Sequence, residues 1–178
     1  MSPGPEPVGI LVLAAGCSRR FGSDKRLARL PQSDRTRLQT PVDAAYASSL
    51  PVRVCLRPED RALAAALANQ GIPSLICKRA REGMGATLAE AVSQVTGWQG
   101  VIIALADMPQ VISPTYQALA RHCEQDKAIV PVYCGQRGNP VCFGAGWFAR
   151  LLHCGGDRGA RGLIAAHPQH VCLLDIQD

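Results

Sequence analysis

Val8-Gly9-Ile10-Leu11-Val12-Leu13-Ala14-Ala15-Gly16-Cys17-Ser18-Arg19-Arg20-Phe21-Gly22-Ser23-Asp24-Lys25 is the stretch on which the fold turns. Its apolar start reads as a strand, and the chain then empties into a small-residue, glycine-bearing, strongly basic loop. Ala14, Ala15 and Gly16 carry little or no side chain, so a ligand can approach the backbone amides closely. Arg19, Arg20 and Lys25 add three cations, with Gly22 among them for an unrestricted turn. Exposed amides with fixed cations suit a polyphosphate, although a basic glycine turn also occurs on proteins that bind none. The two familiar phosphate loops are excluded. G-x-x-x-x-G-K-[ST] needs a glycine where this chain has Asp24, and G-x-G-x-x-G needs one where it has Ser18.

The 178 residues are 47% hydrophobic, which suits one domain with a full core spanning 1–178, with 1–7 expected to be disordered. No run of about 18 apolar residues occurs, so no membrane span is expected. Pro3, Pro5, Pro7 and Glu6, with no basic n-region, do not read as a secretory signal. A formal charge of +5 suits anionic ligands, whereas scattered basic residues and 4% aromatics argue against nucleic acid. The eight cysteines contain no C-x-x-C pair, so a zinc site is not indicated. Several sit in apolar runs as small core hydrophobes, and reduced thiols of a cytoplasmic protein are expected. Cys17 is the one in a cationic loop, but no histidine lies near it in sequence to make a nucleophile of it. The four histidines lack metal spacing, and Trp98 and Trp147 read as packing residues.

Apolar runs of strand length recur at 8–13, 52–56, 73–77, 101–105, 128–132, 141–143 and 171–174. Helical spacing marks 59–69, closed by Gly71, and 86–95, closed by Gly97. A third helix is expected over 113–123, with Ser113 as N-cap and Pro114 at N1. The polar segment 30–40 reads as a loop or flap. Alternation of strand and helix predicts an α/β, Rossmann-like three-layer sandwich with a mostly parallel sheet. In such sheets ligands bind beyond the carboxyl ends of the strands.

The unusual residues fall at those ends. Run 101–105 is followed by Ala106-Asp107-Met108-Pro109, with a carboxylate at the strand's carboxyl end. Asp107 alone would equally serve a turn, but facing a polyphosphate loop it has the chemistry to hold Mg²⁺. Gly83-Met84-Gly85-Ala86-Thr87 is a second glycine turn opening a helix, whose amides are expected to face a ligand. Gly138-Asn139-Pro140 and Gly156-Asp157-Arg158-Gly159-Ala160-Arg161 are further polar turns.

Taken in order, L-A-A-G-x-S-x-R-F-G-x-x-K, G-M-G-x-[ST]-L, L-A-D-M-P, G-[HN]-P and G-D-x-G-A-R resemble the MobA-like nucleotidyltransferases, and among them the molybdenum-cofactor cytidylyltransferase (MocA-like) branch. The resemblance implies a Mg²⁺- or Mn²⁺-dependent transfer of a nucleotidyl group from an NTP to a phosphorylated acceptor, releasing pyrophosphate. It implies that Ala14, Ala15, Gly16, Ser18 and Arg19 bind the nucleotide, with Gly85 and Thr87 on its nucleoside side. Arg20 and Lys25 would neutralise the triphosphate, and Asp107 would hold the metal. Asn139, Asp157 and Arg161 would face the acceptor, molybdopterin. Alanine at position 15, where the guanylyl branch has glycine, favours CTP. A molybdoenzyme receiving the cofactor would be the protein partner. Two other readings stay open: transfer to another phosphorylated small molecule, and a weakly catalytic homologue serving a molybdoenzyme as a cofactor-binding chaperone. Asn139 stands where family members commonly have histidine, and segment 30–56 keeps only Thr40-Pro41-Val42 of a G-x-P-L-L pattern. The family's final D-I-D-T-P-E-D element, with a second metal carboxylate, is reduced to Leu174-Asp175-Ile176-Gln177-Asp178. Either Asp175 and Asp178 stand in for it, or the chain stops before it.

Overall fold

A computed structural model of the chain describes residues 7–16, 24–31 and 34–177. In chain order the elements are β1 (Gly9–Leu13), α1 (Gln39–Ala47), β2 (Val52–Leu56), α2 (Arg61–Asn69), β3 (Ser74–Ile76), α3 (Met84–Ser93), β4 (Gly100–Leu105), α4 (Ser113–Arg121), β5 (Ala128–Tyr133), β6 (Gln136–Arg137), β7 (Val141–Gly144), α5 (Phe148–Leu151), α6 (Arg161–Ala166) and β8 (Val171–Asp175), with short 3₁₀ turns between some of them. The sheet runs β3-β2-β1-β4-β7-β5-β6, with β8 paired to β5. β1, β2, β3 and β4 are mutually parallel, β7 is antiparallel to both β4 and β5, and β8 is parallel to β5.

Every residue of β1 is buried, as a central strand covered on both faces requires. Alternation along it divides the core in two. Leu11 and Leu13 pack with Leu88, Val92, Phe143, Trp147 and Leu151 beneath α3, α5 and α6. Ile10 and Val12 pack with Val42, Leu67, Tyr116 and Leu119 beneath α1, α2 and α4. The expected three layers are therefore present, one sheet between two helical layers. The described cysteines form no disulfide, and Cys55, Cys77 and Cys142 are buried.

Four local expectations are corrected. The 30–40 segment is not simply a flap: Leu30 N–H bonds the Arg35 carbonyl, Arg37 N–H bonds that of Ala28, and α1 begins at Gln39. Ser113 is not the N-cap of α4. Ile112 takes that place in extended conformation and Ser113 is the first helical residue, so Pro114 comes second. α3 starts two residues earlier than its apolar spacing indicates, because Gly83 at φ +119° admits the chain into the helix at Met84. It ends with Gln94 as C-cap, and Gly97 is not among the positive-φ glycines, unlike Gly71 after α2. The hairpin strand β6 and the short α6 carry too few residues to leave a periodic signal.

Candidate active site

β1 and β4 are adjacent, parallel and in register, with Ile10 opposite Ile102 and Leu13 opposite Leu105. Their carboxyl ends are therefore level, and Ala14–Gly16 and Ala106-Asp107 leave the sheet side by side, joined by the Ala106 N–H to the Leu13 carbonyl (3.3 Å). Between them the connectivity changes direction, since β2 lies on one side of β1 and β4 on the other. A crevice opens at such a point. Here it is a cavity of about 360 Å³ whose walls include Ala14, Gly16, Lys25, Arg37, Met84 and Asp107. Asp107 is exposed at its rim, as are Lys25 and Arg37.

The structure qualifies how the first loop serves this cavity. Ala14 donates its N–H to the Cys55 carbonyl (3.0 Å), and its own carbonyl accepts from Arg26 Nη1 (2.7 Å). Its contribution is the absence of bulk, not a free amide. Ala15 is wholly buried in the core and does not line the cavity, whereas Gly16 does. Ser18, Arg19, Arg20 and Cys17 lie outside the described residues.

In the second glycine turn the amides of Gly83, Gly85 and Thr87 are engaged by backbone carbonyls and not open to a ligand. Gly85 N–H donates to the Gly156 carbonyl at 2.7 Å, and a Cβ on Gly85 would stand 2.5 Å from the Gly155 carbonyl oxygen. A Cβ on Gly83 would meet the Gly156 carbonyl at 2.7 Å. The glycines at 83 and 85 thus dock the 155–157 turn against the start of α3. Thr87 is buried and its hydroxyl donates to the Gly83 carbonyl (3.2 Å), so it lines neither cavity described here. Asp157, at the end of this docked turn, and Arg161, which follows it, line a second cavity of about 320 Å³ together with Asn139. Leu13, Met84 and Leu105 line both cavities, so the two adjoin.

Two cavity residues escape sequence reasoning. Arg37 reaches the wall because the backbone pairing of 26–30 with 35–38 folds it back beside Lys25, twelve positions away, which no motif spacing signals. Arg26 sits among the loop cations but is engaged by Asp24 and Asp60, with Nη1 to Asp60 Oδ2 at 2.6 Å and Nη2 to Asp60 Oδ1 at 2.7 Å. Burial works against the charge on both Arg26 and Asp60, yet their mutual hydrogen bonds prevail. The guanidinium is held above its ordinary range and the Asp60 carboxyl well below its own, helped by Arg57.

Asp175 does not complete a metal site beside Asp107. It pairs with Val132 of β5, level with Leu105 but three strands across the sheet, about 14 Å at ordinary strand spacing. Asp178 lies outside the described residues. No group of three or more His, Cys, Asp or Glu assembles a metal centre among the described residues. One exposed carboxylate beside a cavity lined by cations fits Mg²⁺ or Mn²⁺ if a phosphate binds there, because Mg²⁺ usually takes one or two carboxylates plus substrate phosphate oxygens and water. No helix among the described residues is long and apolar enough to cross a membrane.

The sequence matches the MobA-like NTP transferase domain over residues 10–171. No curated protein sequence matches it. Among solved structures, Rv0371c from Mycobacterium tuberculosis H37Rv is 26% identical, with a TM-score of 0.83 over 99% of this chain and 91% of that one. The complex of that protein with manganese gives 24% identity and a TM-score of 0.77 over 97% and 89%. Molybdopterin-guanine dinucleotide biosynthesis protein A from Archaeoglobus fulgidus shares the fold at 15% identity, with a TM-score of 0.61 over 94% and 83%.

Proposed function

The chain belongs to the MobA-like NTP transferase family, and from that premise we propose that it transfers a cytidylyl group from CTP to the phosphate of molybdopterin. The observation that carries this is the level pair of strand ends at β1 and β4, which sets Gly16, Lys25 and Arg37 against Asp107 around one cavity. A triphosphate there meets cations on one wall and a carboxylate on the other. An oxygen of the acceptor phosphate attacks the α-phosphorus, the bond from the α-phosphorus to the oxygen bridging to the β-phosphate breaks, and pyrophosphate leaves. Such transfers depend on positioning and charge neutralisation, so no protein nucleophile is required.

Lys25 and Arg37 hold the β- and γ-phosphates and stabilise the charge that develops on the departing pyrophosphate. Asn139, Asp157 and Arg161 orient the acceptor in the adjoining cavity. Asp107 would hold the divalent metal, which would supply charge neutralisation to the substrate phosphates. Preference for CTP rests on the resemblance of Leu13-Ala14-Ala15-Gly16 to the cytidylyl branch. A cytoplasmic enzyme that hands its product to a molybdoenzyme completes this reading.

Incubation with Mg²⁺, molybdopterin and each NTP in turn is expected to release pyrophosphate fastest with CTP. Release with another phosphorylated acceptor alone would redirect the acceptor assignment. Asp107 is the one carboxylate among the described residues lining the first cavity, and that favours one other reading, a cofactor-binding chaperone for a molybdoenzyme. Binding of nucleotide or cofactor with no pyrophosphate from any NTP would select it.

A further inference from the structure

Arg26 looks like one more phosphate-binding cation, yet its hydrogen bonds say otherwise. A guanidinium has five N–H donors. In Arg26, Nε donates to Asp24 Oδ1 (2.9 Å), Nη1 to Asp60 Oδ2 (2.6 Å) and the Ala14 carbonyl (2.7 Å), and Nη2 to Asp24 Oδ2 (2.5 Å) and Asp60 Oδ1 (2.7 Å). All five are occupied by protein acceptors. The side chains of Arg26 and Asp60 are 11% and 7% exposed. Arg57 closes the group, donating to Asp60 Oδ1 through Nη2 (2.9 Å) and to Asp60 Oδ2 through its backbone N–H (2.9 Å). Two arginines against two aspartates leave the group with no net charge, so it adds no attraction for an anion.

We infer that Arg26 and Asp60 are positioning residues that hold Lys25 and Arg37 at the nucleotide cavity, an inference that rests on the function proposed above. Lys25 lies between Asp24 and Arg26, both fixed in the group. The Arg26 carbonyl accepts the Leu38 N–H (3.1 Å), tying down the residue next to Arg37. Through the Ala14 carbonyl and the Arg57 backbone N–H the group is anchored just past the ends of β1 and β2. Exposed lysines lose much side-chain freedom when they bind, and a backbone already held in place lessens the further ordering cost of engaging phosphate.

Titration of the whole protein with CTP and GTP, in wild type, R26M, K25A and the double variant, tests this. The expected result is that R26M weakens nucleotide binding about tenfold, and that the double variant loses less than the product of the two single losses, because residues acting through one interaction are non-additive. Arg26→Lys is expected not to restore affinity, since an ammonium cannot reproduce the guanidinium fork. Should R26M fail to fold, Asp60→Asn gives the same comparison with a smaller loss expected. A wild-type affinity in the folded R26M protein, or losses in R26M and K25A that simply multiply, overturns the positioning role while leaving the nucleotide site standing. Wild type that takes up neither nucleotide removes the site itself, and the inference with it.

Discussion

Asp107 stands exposed just past the end of β4, where its side chain supports no part of the core. Asp107→Ala is therefore expected to leave the thermal midpoint unchanged while lowering metal-dependent turnover by about a hundredfold or more, the scale set by losing a charge-stabilising group. Calorimetry alongside pyrophosphate release checks both halves. Lys25→Ala and Arg37→Ala are each expected to raise the KM for nucleotide several-fold, a loss of about 1 kcal/mol for one charge-assisted contact. Only one of those two cations was legible in the sequence. Lys25 falls within a loop motif that follows a strand, whereas Arg37 enters the cavity through a backbone pairing that no side-chain pattern encodes.

At the scale of elements, the glycine turn before α3 was legible as a turn but not in its role. Gly-x-Gly followed by a helix suggested amides open to a ligand. Gly85 instead bonds Gly156, and both glycines give the 155–157 backbone room to approach. Gly85→Ala isolates that role. Alanine would favour the helix by about 1 kcal/mol, yet its Cβ would lie 2.5 Å from a backbone carbonyl that cannot swing aside. The clash is expected to prevail, with a net loss of about 1–3 kcal/mol in chemical denaturation. The acceptor KM should rise with it, because Asp157 and Arg161 are placed by that turn. Unchanged stability would mean that the turn has room to move.

The whole molecule ties its site to its acid stability. Asp60 has its folded pKa held well below the ordinary 3.8 by Arg26 and Arg57 despite burial, and Asp24 is lowered too, chiefly by its hydrogen bond from Arg26. A depressed carboxylate pKa stabilises the fold above the unfolded value, and that contribution is lost as pH falls toward the folded one. Denaturation midpoints are therefore expected to show no slope from this pair above about pH 5 and to fall steadily below 3.8. Asp60→Asn should begin less stable at neutral pH and show a shallower acid slope; an equal slope would remove Asp60 as the cause. What the sequence by itself determined was local: seven apolar strands, their alternation with helices, and the small, basic and acidic residues placed at strand ends. Those follow from periodicity and backbone preference, which act within a few residues. Tertiary structure alone decided that β1 and β4 lie in register, that Asp175 stands three strands from Asp107, and that Arg26 bonds Asp60 while Arg37 joins Lys25. These depend on which strands pair and how loops fold back, choices made by burying both faces of the sheet at once.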